Sequence, residues 1–153
     1  MSADGAANEA YGKPVVLTEG PFAGWTTWSR GTDPYETLLG PFCSKLENGR
    51  ARCAFEPKQH HLNGGGFIHG GALMSFADFS LFSIAHKALE GNVKAVTLSC
   101  NCEFISAGTL DGWIEAEGDV LRTTRSIIFV RGLVTQNART VLAFSGALKK
   151  IGA

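Results

Sequence analysis

From Ala72 onward the chain carries no proline or interior glycine until Gly91, and Leu73, Phe76, Ala77, Ser80, Leu81, Ile84, Ala85 and Ala88 recur at three- and four-residue spacing. That is the periodicity of a helix face turned toward a core. The spacing predicts one helix from about Gly70 to Glu90, stopped by Gly91. Met74, Phe79 and Phe82 add apolar groups off the main stripe, so the helix is expected to be buried on most sides. Before it, Asp33-Pro34 marks a short helix running through Leu38 and Leu39 to Gly40, with Asp33 as cap and proline at the first position. Phe42 to Glu47 and Ala51 to His61 read as strands joined by the two-residue turn Asn48-Gly49. After the helix come four more strand-like segments: Ala95 to Ile105, Trp113 to Leu121, Ser126 to Thr135 and Thr140 to Lys149. Strands, one long helix, then strands predicts an α+β domain, an antiparallel sheet with the helix packed on one face. Residues 1–20 show no periodicity and are expected to be mobile, leaving residues 21–153 as a single domain.

Composition narrows the picture further. The 153 residues are enough for one domain with a real core, and 44% apolar and 18% charged residues are ordinary for a globular protein. The formal net charge is zero, which gives no support for nucleic acid or a membrane surface as partner. The helix is interrupted by Asp78, His86 and Lys87, so no transmembrane segment is expected. Nothing at the amino terminus reads as a signal peptide, and a cytoplasmic location is expected.

The four cysteines, Cys43, Cys53, Cys100 and Cys102, form no C-x-x-C pair and have no matching histidine spacing, so they are read as reduced apolar residues. His60 and His61, taken as neighbours on a strand, would point to opposite faces, and no metal site is expected. The glycine cluster Gly64-Gly65-Gly66 fails the G-x-G-x-x-G pattern and is followed by no Gly-Lys-Ser/Thr, which removes dinucleotide and P-loop readings.

What remains is chemistry at the helix start. A glycine-rich entry leaves backbone N–H groups open toward negative charge, such as a carbonyl acquires when attacked. Asp78 lies in the second to third turn, where a carboxylate can activate water or attack directly. Gly70 and Asp78 are eight residues apart, roughly 12 Å along a helix axis. They cannot address one carbonyl from the same chain, so if both act, the site is shared with a second, antiparallel copy across a two-fold axis. The plainer roles are also open at this stage: Asp78 as a helix-stabilising charge, Asn63 as a turn former, and His69 as a cap.

The spacing Asn63, Gly66, His69-Gly70-Gly71, Asp78 resembles the signature of hotdog-fold acyl-CoA thioesterases of the phenylacetic-acid-degradation type, relatives of the 4-hydroxybenzoyl-CoA thioesterases. The similarity runs from about Pro34 to Lys150. The resemblance implies a hotdog fold, one long central helix wrapped by an antiparallel sheet, with active sites at a homodimer interface and dimer pairing into tetramers left open. It implies that the Gly70 N–H polarises the thioester carbonyl, that Asp78 of the partner subunit is base or nucleophile, and that Asn63 and His69 help hold water and substrate. Thr97 aligns with a Ser/Thr position that assists the carboxylate in similar proteins.

On this reading Gly71 and Phe79 belong to the substrate site, with Phe67, Phe76 and Phe82 as further candidates for the walls of an acyl pocket. Phe22, Trp25 and Trp28 are expected to pack on the domain, near that pocket or a subunit contact. Arg122 and Arg125 flank Thr123-Thr124 between two strands, and their guanidinium groups are suited to the phosphates of coenzyme A, a solvated turn being the alternative. The expected activity is hydrolysis of an aryl- or medium-chain acyl-CoA, with no cofactor beyond the coenzyme A of the substrate. The rivals are an acyl-CoA-binding sensor and a hydratase or dehydratase on the same fold.

Overall fold

The computed structural model describes residues 13–29, 33–91 and 93–152. Eight strands form one antiparallel sheet: β1 (Val15–Val16), β2 (Thr26–Thr27), β3 (Cys43–Glu47), β4 (Arg50–Phe55), β5 (Lys94–Phe104), β6 (Ile114–Thr123), β7 (Ile127–Gln136) and β8 (Arg139–Ile151). Their order across the sheet is β1-β2-β3-β4-β6-β7-β8-β5. Among the described residues two α-helices accompany them, α1 (Pro34–Leu39) and α2 (Gly70–Ile84). The sheet holds α2 on one face, against β4 through β8, which is the hotdog arrangement expected above.

The local signals act as their chemistry requires. Asn48 and Gly49 take φ of 51° and 75°, the left-handed pair that closes a tight hairpin between β3 and β4. Asp33 caps α1, its Oδ1 accepting from Glu36 N at 3.0 Å, with Pro34 opening the helix. The stripe on α2 is buried: Leu73, Phe76, Ala77, Leu81 and Ile84 pack with Phe42, Phe55, Ile114, Ile128, Val134, Leu142 and Leu148. Each large side chain buried this way stabilises the fold by about 1.5–3 kcal/mol. Gly146 lets the helix sit close to the sheet. A Cβ there would lie 2.5 Å from Leu81 Cδ1 and 2.5 Å from the Ser99 carbonyl oxygen.

Three expectations change. The central helix ends at Ile84, not Glu90: Ala85 adopts φ −78°, ψ 8° and the chain tightens into a 3₁₀ turn over His86–Leu89, closed by Ala88 N to Ala85 O at 2.8 Å. Gly91, at φ 73°, follows that turn. Likewise β4 ends at Phe55, and His60 and His61 lie in a 3₁₀ turn, Gln59–His61, after Pro57. His61 is buried, with Nδ1 accepting from Lys58 N at 2.8 Å and Nε2 donating to Leu39 O at 2.6 Å. Burial lowers its pKa, and both ring nitrogens are engaged.

The third change concerns the stretch expected to be mobile. Residues 1–12 fall outside the described residues, but Val15–Val16 pair with β2 and Leu17 is buried. Leu17, Phe22, Trp25, Cys43 and Ala54 form a second small core with Trp113, in which Phe22 and Trp113 ring centres are 4.4 Å apart. Ala54 points into this cluster while Cys53 and Phe55 point into the main one, so the two cores lie on opposite faces of the sheet. Phe22 and Trp25 are therefore on the face away from α2, whereas Trp28 packs against the main core.

Candidate active site

At the start of α2 the backbone bends through His69, which holds an extended φ of −60° and ψ of 135° and caps the helix through Nδ1, accepting from Gly71 N at 2.8 Å. With Nδ1 as acceptor the neutral ring carries its proton on Nε2. The Gly71 N–H is thus consumed by the cap. The Gly70 N–H has no acceptor among the described residues, so the donor expected from the sequence is free. Asn63 builds the preceding turn: its Oδ1 accepts from Gly65 N at 2.9 Å and Phe67 N at 3.2 Å. It thereby aims the chain from the Leu62–Ile68 bridge toward the helix. Both side chains act on the loop within this chain.

Two turns on, Asp78 is half-buried, and its Oδ1 accepts a 2.6 Å hydrogen bond from Thr97 Oγ1. Thr97 stands at a register shift in β5, between Thr97 and Ser99. Such a bulge re-aims a side chain relative to its neighbours. Asp78 also lines a cavity of roughly 370 Å³ with Asp33, Tyr35, Glu36, Phe42, Met74, Ser75 and Cys100. Tyr35 Oη and Ser75 Oγ share a hydrogen bond of 2.8 Å across it, tying α1 to α2.

The electrostatics of this cavity are lopsided. Burial, then the nearby carboxylates of Asp33 and Asp78, push the Glu36 carboxyl up to about 8, against the opposing hydrogen bond of Ser29. One Glu36 oxygen, Oε2, is buried and has no hydrogen-bond partner among the described residues. Burial and the neighbouring Cys102 push the Cys100 thiol up to about 12, so it is a neutral wall. Sequence reasoning misses Glu36, because Asp33-x-x-Glu36 reads as an ordinary helix-start pair.

The remaining expected positions are dispersed. Phe79 is buried in the main core against Phe42 and Phe76, with ring centres 5.8 and 6.3 Å away. It lies behind the cavity wall and not on it, because its ring packs into the core with Phe42 and Phe76. Arg122, near the end of β6, and Arg125, in the β6–β7 turn, are exposed, and neither makes an ion pair among the described residues. Thr124 organises that turn, its Oγ1 accepting from Ile127 N at 2.9 Å. A larger hollow, roughly 1220 Å³, lies on the outer sheet face. Most of its charges pair with one another, Arg52 with Glu115 at 2.5 Å and Arg50 with Asp119 at 3.0 Å. The asymmetric carboxyls and the open backbone donor are on the α2 side.

Comparison with known proteins bears on the family and the fold. Residues 65–143 match the family model described as the thioesterase superfamily. A Pseudomonas aeruginosa protein carrying an esterase name, PA0474, is 27% identical over 116 residues, 75% of this chain and 87% of its own. Among solved structures, a variant of the phenylacetic acid degradation protein PaaI of Thermus thermophilus is 28% identical with a TM-score of 0.66, over 78% of this chain and 100% of that one. The BH2602 protein of Bacillus halodurans, solved with CoA, has a TM-score of 0.73 over 81% of this chain and 82% of its own. At 20% identity that last likeness speaks for the fold.

Proposed function

Because this chain belongs to the thioesterase superfamily, we propose that it hydrolyses acyl-CoA thioesters with Asp78 as general base and the Gly70 N–H as the donor to the carbonyl oxygen. The observation that carries this is the pair itself: a carboxylate fixed by Thr97 at 2.6 Å and open to a cavity, on the same helix as a backbone donor without an acceptor. Thr97 occupies one Asp78 oxygen and leaves the other to take a proton. In the step proposed, a water oxygen adds to the thioester carbon while its proton passes to Asp78. The carbonyl oxygen becomes an oxyanion on Gly70 N–H, the C–S bond breaks, and the proton returns to the departing sulfur. No cofactor is needed beyond the coenzyme A of the substrate.

Eight residues of helix separate Gly70 from Asp78, roughly 12 Å, so the reading requires a homodimer in which each site takes Gly70 from one copy and Asp78 from the other. Tyr35, Phe42 and Met74 give the cavity apolar walls, and its size suits an aryl or short-to-medium acyl group. The exposed Arg122 and Arg125 are assigned to the coenzyme phosphates, where they add affinity without touching the reacting atoms. A cytoplasmic setting goes with this reading, in which the four free cysteines stay reduced. Among the described residues no helix is long and apolar enough to cross a membrane.

The test is thiol release from a panel of aryl and straight-chain acyl-CoAs with wild type and Asp78→Ala. Loss of a general base is expected to lower kcat about a hundredfold or more. Alanine suits the helix, and folding should be kept. Activity of the variant within a few-fold of wild type, or no turnover by wild type on any acyl-CoA despite binding, would sink the assignment. The second outcome is the one an acyl-CoA sensor would give.

A further inference from the structure

Glu36 is the unexplained group of this cavity. Its carboxyl stands at the first turn of α1, facing the space lined by Asp78 of α2 and Cys100 of β5. Ser29 hydrogen-bonds the carboxyl and at the same time receives the Phe42 N–H on its Oγ, at 3.3 Å. The second carboxyl oxygen is buried and has no partner among the described residues. A buried polar atom left unsatisfied is costly unless something from outside the chain completes it. Besides its apolar walls the cavity carries Asp33, Ser75 and Asp78, and it is roomy enough for water.

We propose that Glu36, as a neutral carboxylic acid, donates its O–H to the water that Asp78 activates, so that the site works as a carboxyl pair in which one member is acid and the other base. The inference rests on the hydrolytic reading above and adds to it a residue on a different element. The arrangement follows from the surroundings of the two groups. Asp78 is half-buried and accepts the Thr97 hydroxyl on one oxygen, which leaves its other oxygen to take a proton. Glu36 has no cation among the residues that line the cavity.

Among the described residues, the titratable groups near Glu36 are Asp33 at the cap of its own helix, Tyr35 beside it, Asp78 from α2 and Cys100 from β5. His61 adds a ring that donates to Leu39 O at the end of α1. None supplies a positive charge that would ionise Glu36: Cys100 is neutral, with its thiol pushed up to about 12, and burial holds His61 toward its neutral form. Pairs of titratable groups driven apart by their environments are how one site holds an acid and a base at the same pH. When Glu36 ionises, the water loses its donor and the developing oxyanion meets a second negative charge. The acid form is therefore the working form, and its pKa of about 8 places the loss of activity on the alkaline side.

The experiment is the pH dependence of kcat from about pH 6 to 9.5 for the full chain, comparing wild type, Glu36→Gln and Glu36→Ala on the best acyl-CoA of the panel. Glutamine keeps a donor in the same place and cannot ionise. Wild-type kcat should fall by about tenfold through an apparent pKa near 8, and Glu36→Gln should stay within a few-fold of wild type at pH 7 and lose that alkaline fall. Glu36→Ala should lose about tenfold or more in kcat at pH 7 with KM nearly unchanged. An alkaline limb of the same position in Glu36→Gln overturns the proposal, even if Glu36→Ala fails to fold. So does full activity of Glu36→Ala. Asp78→Asn, measured alongside, separates the two ideas: if it is active, the base assignment fails. If it is inactive while Glu36→Gln keeps the wild-type limb, only the Glu36 proposal fails.

Discussion

The Glu36 carboxyl also makes a prediction about stability that needs no substrate. Its pKa in the folded chain is about 8 against an ordinary value of 4.5. Between those two pH values the folded protein keeps a proton that the unfolded chain releases. Folded protein then binds more protons than unfolded, so stability falls as pH rises from about 4.5 to about 8 and is flat beyond. At about 1.4 kcal/mol per pH unit the gap sets an upper bound near 5 kcal/mol. The carboxyl is only partly buried, and solvent screening reduces the expected loss to about 2 kcal/mol. Glu36→Gln keeps the shape and abolishes the proton-linked part. Urea unfolding at pH 5, 6, 7 and 8.5, at one fixed protein concentration, should show the wild-type free energy dropping by about 2 kcal/mol more than that of the variant across the series. In thermal melts this corresponds to a relative shift of roughly 4–8 °C. The sign matters more than the size. If the two curves run parallel, the carboxyl ionises freely in the folded state and the acid role proposed for it goes too; if wild type gains relative stability with rising pH, the group is held charged by a partner outside the described residues.

Three further outcomes test other parts of the argument. Gly70→Pro removes the backbone donor at a first-turn position that accepts proline, with the Phe104 ring, 3.1 Å from the new Cβ, giving slightly on an exposed strand. Co-refolded with Asp78→Ala, it should restore about a quarter of wild-type sites, since half the dimers are mixed and each holds one intact site. Recovery no greater than that of the parents, with exchange verified, would refute the shared site. Arg122→Ala with Arg125→Ala should raise KM for acyl-CoA more than it lowers kcat, with the effect shrinking at high salt; an unchanged KM at low salt returns those residues to a solvated turn. Gly146→Ala should destabilise the domain by about 1–3 kcal/mol, because its Cβ meets the Ser99 backbone oxygen as well as Leu81, and an unchanged urea midpoint would show that α2 is not held as tightly as the close approach requires.

What can be read in advance of the structure is local chemistry. Asn48-Gly49 must turn, Asp33-Pro34 must open a helix, and the stripe from Leu73 to Ile84 must face a core; the structure meets each with the expected geometry. What escapes depends on contacts between elements far apart in sequence. Residues 85–90, Ala-His-Lys-Ala-Leu-Glu, are mostly acceptable helix formers, so nothing in them announces that α2 gives way to a 3₁₀ turn after Ile84. The short pairing of β1 with β2 is equally silent, because two residues carry no period. The residue type of Phe79 does not place it, since an aromatic off the main stripe is as easily core as pocket.

The carboxyl pair shows why the site is harder to read than the fold. Asp78 is legible because it interrupts an apolar helix. Its partner hydroxyl lies 19 residues later, turned onto it by a strand bulge, and Glu36 lies 42 residues earlier on a separate short helix. In sequence Glu36 is a surface-type residue three places after a cap, and what makes it unusual is the closure of α1, α2 and β5 around it. The proposed acid and the proposed base are chemically the same group. Their difference comes from packing, which gives one of them the Thr97 hydroxyl and leaves the other with a buried oxygen and two carboxylates for neighbours, and no pattern of residue types encodes that difference until the chain is folded.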